Sequence, residues 1–241
     1  MFFQYTLQDG ECSLTSCFTK VFVKSEDKEL ILPIFHMYPS KYIDEYYAVV
    51  HNGVKAMFKE LEINNGVMTL QSFYKNGKFY IFEAGFRMGG AQNYILSEYQ
   101  NGTNSLNYMI NYALTGKMND FPIIDKDNAK FKKPCCNYYV ALKPGKIAKM
   151  GGVDKVRKLN GVLNVTVMCS EGEEIPATNA LERICLRIHV VGDDVSQLAK
   201  NLCEISKTLD IISVNGENMQ LEPLEYERCV QAICNTTSFN L

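Results

Sequence analysis

The sequence predicts an α+β fold, an antiparallel sheet with helices followed by a smaller α+β domain. Three observations predict it. Apolar and β-branched runs are punctuated by the turn dipeptides Asp9-Gly10 and Asn76-Gly77, as hairpins are. Elsewhere apolar residues recur at steps of three and four, the period of amphipathic helices. No internal repeat or low-complexity tract interrupts the order. With 241 residues, 46% of them hydrophobic, the chain can bury a core in one large domain or two modest ones.

The opening residues read as a hairpin: "FFQYTL", the Asp9-Gly10 turn, then "CSLTSCFTKVFV". From Ser40 to Leu61 the positions Ile43, Tyr47, Val50, Val54, Met57 and Leu61 make one helical stripe, with Ser40 as its N-cap. A second hairpin spans Asn65 to Gly90. Two helices follow, Tyr94–Tyr99 and Ser105–Leu114, separated by Asn101-Gly102 and closed by Gly116. The stretch "MNDFPIIDKDNAKFKKP", residues 118–134, is charged and aperiodic and reads as a domain boundary or long connection. We therefore expect domains over 1–120 and 121–241. The second holds strands at 136–142 and 161–169 and a short basic helix near Asp154–Lys158. "RICLRIHVV" alternates as a half-buried strand does; a helix striped by Leu198, Leu202, Ile205 and Leu209 follows, and "DIISVNG" returns as a strand.

Composition excludes several classes of function. The net charge is −2 with no long basic run, so neither nucleic acid nor an anionic membrane is an expected partner. The longest uncharged run, Tyr99 to Thr115, is studded with Asn and does not suit a bilayer. The start "MFFQYTLQDGE" lacks the basic opening of a signal peptide. Nine cysteines without any C-x-x-C, several inside apolar patterns, read as buried reduced thiols. A cytoplasmic location is the expectation.

The second hairpin carries the chemistry. "MTLQSFYKNGKFYIFEAGFRMGG" sets Gln71 on one arm, Glu83 on the other and Arg87 beyond. A two-residue turn at Asn76-Gly77 pairs Gln71 with Phe82. A three-residue turn pairs Gln71 with Glu83, gathers Met68, Leu70, Ser72, Tyr74, Tyr80, Phe82 and Ala84 on a core face, and leaves Arg87 on the Gln71 face if the strand continues. The odd connection is the expectation. Two oxygen donors on neighbouring strands can share a hard cation that takes its other ligands from phosphate and water. Arg87 can then grip a phosphoryl oxygen. An amide–carboxylate hydrogen bond on a half-exposed sheet face, with an unrelated arginine, fits the same residues.

The hairpin resembles the metal-binding hairpin of the ATP-grasp superfamily, in which an acidic or amide residue precedes a glutamate at this spacing. "LPIFHMYPSKYIDEY" and "YILSEYQNGTNSLNYMINYALTGK" resemble the flanking segments. "RICLRIHVVGDDVSQLAKNLCEISKTLDIISVNGENM" resembles the C-terminal domain of biotin-carboxylase-like and carbamoyl-phosphate-synthase-like members. The resemblance implies that residues 1–120 are the C-terminal lobe of the grasp, with ATP and Mg²⁺ as cofactors. It makes Gln71 and Glu83 Mg²⁺ ligands, gives Arg87 a catalytic role at the transferring phosphate, and sets Lys20 near the nucleotide. Gly85 departs from the pattern, since the family has an asparagine there.

The implied activity is that of an ATP-dependent carboxylate ligase acting through an acyl-phosphate, with nucleotide and a small carboxylate as substrates. The lysine-bearing lid and adenine hinge of the family precede the region matched, so the resemblance implies the C-terminal part of a ligase, incomplete alone: an excised piece, a truncated gene product, or one half of a split enzyme with a separate N-terminal subunit. The competing reading is a non-catalytic interaction or homodimerisation module. His36, His51, His189 and Arg187 are weaker candidates; each also reads as a structural residue.

Overall fold

Both turn dipeptides adopt the left-handed backbone that their residue types tolerate. Asp9 and Gly10 have φ of 52° and 86°, and Asn76 and Gly77 have 52° and 73°, values that close two-residue type I′ turns. The computed structural model describes residues 1–23, 32–177 and 181–241. The first turn joins β1 (Phe2–Gln8) to β2 (Glu11–Phe22), with β3 (Pro33–Tyr38) following. The second joins β4 (Gly66–Lys75) to β5 (Lys78–Gly85). The chain divides into two compact units, Met1–Thr19 with Tyr38–Lys132, and Lys20–Met37 with Lys133–Leu241.

In the first unit the strands run in the order β5-β4-β1-β2, each antiparallel to its neighbour. Phe3, Tyr5, Leu7, Leu14, Met68 and Leu70 form an apolar core with Ile43, Tyr46, Val54 and Phe58. Those four lie on α1 (Ile43–Val49) and α2 (His51–Glu60). The single helix expected from Ser40 to Leu61 is thus two. Val50 leaves helical geometry at φ −121°, and the break lets the His51 ring stack 5.6 Å from Tyr5, with Nδ1 3.0 Å from the phenol oxygen. Ser40 is not the N-cap; its hydroxyl pairs with Thr19 at 2.8 Å, and Tyr42 takes the cap position with no side-chain bond.

Polar residues of β1 and β2 are also buried in this unit. The Ser13 and Thr15 hydroxyls both donate to Asp127 Oδ2 at 2.6 Å, and Thr103 donates to Oδ1 at 2.9 Å. The aperiodic stretch from 118 is therefore packed, burying Met118, Ile123, Ala129 and Phe131 beside Asp127. The two helices expected before it are present as α3 (Tyr94–Asn101) and α4 (Ser105–Thr115). Gly102 and Gly116 end them in left-handed backbone, and Asn104 caps α4 by accepting from the amides of Leu106 and Asn107.

The second unit contains β6 (Cys135–Ala141), β7 (Gly145–Gly151), α5 (Val153–Val156), β8 (Val162–Val167), β9 (Glu174–Ile175), β10 (Ile184–Val191), α6 (Val195–Thr208), β11 (Asp210–Ser213) and α7 (Tyr226–Thr236). Strands run β3-β6-β10-β8, with a separate trio β11-β7-β9. Tyr138, Val140, Leu186 and Ile188 form a core with Leu198, Leu202 and Ile205 of α6 and Cys229 and Ile233 of α7. The half-buried strand expected at "RICLRIHVV" is buried on both faces. Cys185 and His189 are fully enclosed, and only Arg187 of β10 is partly exposed.

Candidate functional site

Gln71 lies opposite Glu83, as the odd connection was expected to place it, but by a different device. The turn is the even one, pairing Lys75 with Lys78 and Phe73 with Tyr80. The register then slips by one residue between Gln71 and Ser72, so that Phe82 is the extra residue of a bulge on β5. This corrects the expected faces near the turn. Phe79 packs inward against Phe3, Tyr46 and Tyr74. Phe82 is 55% exposed and stacks on Phe73, itself 67% exposed. Phe73 shares the Gln71 side of β4, two residues along.

Gln71 Nε2 donates to Glu83 Oε2 at 2.5 Å, and Arg87 Nη2 donates to Glu83 Oε1 at 3.1 Å. The Glu83 and Arg87 side chains are 42% and 55% exposed, so the pair lies where solutes can reach it. An ion pair this exposed contributes about 0–1 kcal/mol to folding. The strand does not continue to Arg87. It ends at Gly85, and the Arg87 amide donates back to the Gly85 carbonyl at 3.0 Å, a tight turn that still returns the guanidinium to Glu83.

Gly85 has a local reason. A Cβ built there would stand 3.3 Å from Thr69 Oγ1 and 3.4 Å from the Arg87 side chain. The Arg87 stem thus lies close over the space where an asparagine side chain would begin. Gln71 and Glu83 suit a small hard cation: they offer oxygen donors on adjacent strands, once the amide turns its oxygen rather than its nitrogen to the carboxylate. Among the described residues no group of three or more His, Cys, Asp or Glu makes a metal cage. A cation here would draw its remaining ligands from phosphate and water.

All of the other candidates but His51 lie in the second unit. Lys20, near the end of β2, and His36, on β3, belong to it, as do Arg187 and His189 on β10. His36 Nδ1 lies 3.1 Å from the Tyr139 hydroxyl, which also accepts from Asn137 Nδ2 at 3.3 Å. The Arg187 guanidinium stands 5.6 Å from the Tyr139 ring centroid. Burial, then the nearby charges of Lys20 and Arg187, holds His36 well below the ordinary imidazole range. His51, in the first unit, is tied to Tyr5. Sequence reasoning missed the exposed Phe73–Phe82 stack, because nothing in "KFYIFEAG" marks the bulged residue, and missed Asp127, because its three hydroxyl partners are remote in the chain.

No family model matches the chain, and no curated protein matches it. Solved structures do. Phosphoribosylglycinamide synthetase from Anaerococcus prevotii superposes with a TM-score of 0.72 at 17% identity, over 88% of this chain and 52% of that one. L-amino acid ligase from Bacillus licheniformis gives 0.68 at 17%, over 88% and 53%. The biotin carboxylase domain dimer of Hydrogenobacter thermophilus 2-oxoglutarate carboxylase, solved with MgADP, ADP and bicarbonate, gives 0.67 at 13%, over 97% and 48%. The chain spans about half the length of these neighbours. No described helix is long and apolar enough to cross a membrane. The neighbours are ATP-grasp enzymes, and the chain has the α+β fold that it shares with them.

Proposed function

We propose that this chain is the part of an ATP-grasp carboxylate ligase, of the carbamoyl-phosphate-synthase or biotin-carboxylase kind, that positions Mg²⁺–nucleotide phosphates for acyl-phosphate formation. The observation that carries the reading is the Gln71–Glu83–Arg87 constellation on an accessible strand face, costly to explain as a stability device. Gln71 and Glu83 would hold Mg²⁺, which when bound neutralises phosphate charge. Arg87 sits within reach of the same carboxylate and would turn to a phosphoryl oxygen, where its planar fork makes two parallel hydrogen bonds. Phe73 and Phe82 offer an aromatic surface beside the pair on which a planar base can stack.

Lys20 is proposed near the nucleotide, with a small carboxylate as second substrate and a separate N-terminal subunit as partner. Nine free thiols support a reducing, cytoplasmic setting. Titration calorimetry with MgADP on the chain reconstituted with an N-terminal ATP-grasp subunit, as wild type and as Glu83→Ala, tests the proposal. We expect the substitution to weaken binding at least about tenfold, the loss of one strong charge-assisted interaction. No binding by the wild type, or equal binding by both, overturns it.

A second reading, a non-catalytic homodimerisation module, is favoured by the exposed Phe73, Tyr80, Phe82 and Phe86 on or beside the hairpin. Light scattering decides it: a dimer lost on Phe82→Glu, with no MgADP bound by either protein, supports that reading over the first. A monomer at all concentrations counts against it.

A further inference from the structure

We propose that Cys203 and Cys229 form a thiol–disulfide exchange site that latches α6 to α7 when a low-molecular-weight disulfide enters the groove beside Cys203. The two sulfurs lie 3.9 Å apart within the second unit, and both are free thiols. A disulfide bond is about 2.05 Å long, so closure takes a shift of roughly 2 Å between the sulfurs.

The two thiols differ in access, and that difference assigns their roles. Cys203 is 7% exposed and lines an open groove of about 390 Å³ with Lys200, Glu204, Lys207, Thr208 and Tyr226. Cys229 is fully buried behind it. Lys200 and Lys207 stand three residues before and four after Cys203 on α6, so their stems share its face of the helix. Glu204 in the groove, and Glu225 and Glu227 acting on Cys203, offset the two lysines, so access rather than charge selects the reagent, a small disulfide of the oxidised-glutathione class.

The chemistry balances with that reagent alone. The Cys203 thiolate attacks one sulfur of the disulfide, forming a mixed disulfide and releasing one small thiolate. Cys229 loses its proton to solvent and attacks Cys203 Sγ, breaking the mixed disulfide and releasing the second small thiolate. Two protein thiols are oxidised and one small disulfide is reduced to two thiols. Burial first, with Glu225 and Glu227 facing Cys203, outweighs the lowering effects of Lys207 on Cys203 and Arg228 on Cys229 and holds both thiols above their ordinary range, so exchange accelerates as the pH is raised. The site is independent of the hairpin and of any role assigned to it.

The test is a peptide map of the native chain incubated with oxidised glutathione, capped with N-ethylmaleimide and cut with trypsin without reduction. Cleavage after Lys200, Lys207 and Arg228 gives peptides 201–207 and 229–241. We expect them to be joined in most of the protein, with fragment ions assigning the bond to Cys229 rather than Cys234, and dithiothreitol to separate them. In Cys229→Ser the 201–207 peptide should instead carry stable glutathione. A wild-type chain that keeps glutathione on Cys203 without the cross-link overturns the proposal. So does a bond through Cys234, or a Cys203 that stays unmodified. If Cys229→Ser fails to fold, the wild-type map alone decides.

Discussion

Phe82 stacks on Phe73 with ring centroids 4.7 Å apart, and it does so as the extra residue of the bulge that brings Glu83 opposite Gln71. The same irregularity therefore builds two features at once, an oxygen pair and an aromatic surface beside it. Because both rings are more than half exposed, the stack contributes little to folding, about 1 kcal/mol. Phe82→Ala should leave the urea midpoint almost unchanged. If a base stacks there, MgADP affinity should fall about tenfold, consistent with the roughly 1–3 kcal/mol of base–aromatic stacking. Calorimetry read beside denaturant melts separates the two effects; unchanged affinity removes the aromatic surface from the site.

Deleting Phe82 makes a sharper test of the register. Without the extra residue the two-residue turn would carry regular pairing past Ile81 and still set Glu83 against Gln71. MgADP binding should fall on the deletion no further than on Phe82→Ala, which loses the same ring, whereas Phe82 replaced by Gly-Gly should abolish it by moving Glu83 one position on. Binding that tolerates the insertion would mean that this pairing is not what holds the phosphates.

How much of this was legible in the sequence depends on the range of the interaction. Turns, strands and α3 and α4 were readable because Asn76-Gly77, Gly102 and Gly116 impose local backbone geometry. The Gln71–Glu83 pairing was reached by counting back from the wrong turn, since a bulge leaves no mark in composition. The break at Val50 was invisible for another reason. Its apolar stripe continues across the kink, and its consequence, the Tyr5–His51 bond, joins residues 46 positions apart. Asp127 reads as one charge among many in a polar stretch until Ser13, Thr15 and Thr103 are seen around it.

Asp127 should be costly to replace. Its carboxylate accepts from three hydroxyls in a buried setting, and Asp127→Ala would take this partner from Ser13 and Thr103, while Thr15 keeps the Thr6 hydroxyl at 2.6 Å. A loss of about 3 kcal/mol or more in urea unfolding is expected, from unsatisfied buried polar groups at about 1–3 kcal/mol each. Burial raises the Asp127 pKa, against the lowering effect of its three hydrogen bonds. The folded state thus holds its proton to higher pH than the unfolded state does. Stability from this group is full below the ordinary carboxylate value and falls as pH rises through the raised one. Asp127→Asn should remove that downward slope, and an unchanged slope would assign it elsewhere.

His36 gives the opposite slope. Burial, then Lys20 and Arg187, lowers its pKa, so the unfolded chain binds a proton that the folded chain refuses. Stability from this group is present above the ordinary imidazole value and lost as pH falls below it, through the depressed folded value. His36→Gln, which keeps a group able to bond Tyr139, should flatten the decline that sets in below about pH 6.5, measured by thermal melts. A decline as steep in the variant would point instead to His51, whose pKa burial also lowers.

Gly152 and Gly172 separate backbone strain from steric conflict. Both have positive φ, 86° and 87°, so alanine strains the backbone alike at either position, by about 1–2 kcal/mol. Around Gly172 nothing lies within 4 Å of an added Cβ. At Gly152 the added carbon would run into the Thr208 carbonyl and toward Leu209, backbone that cannot swing aside as a long side chain does. Gly172→Ala should therefore cost about 1–2 kcal/mol, whereas Gly152→Ala should cost several kcal/mol or fail to fold. Since Gly152 precedes α5 and Thr208 ends α6, the damage should appear as accelerated hydrogen exchange across both helices. Equal costs at the two glycines would mean that the end of α6 yields, and that this close approach does not fix its position.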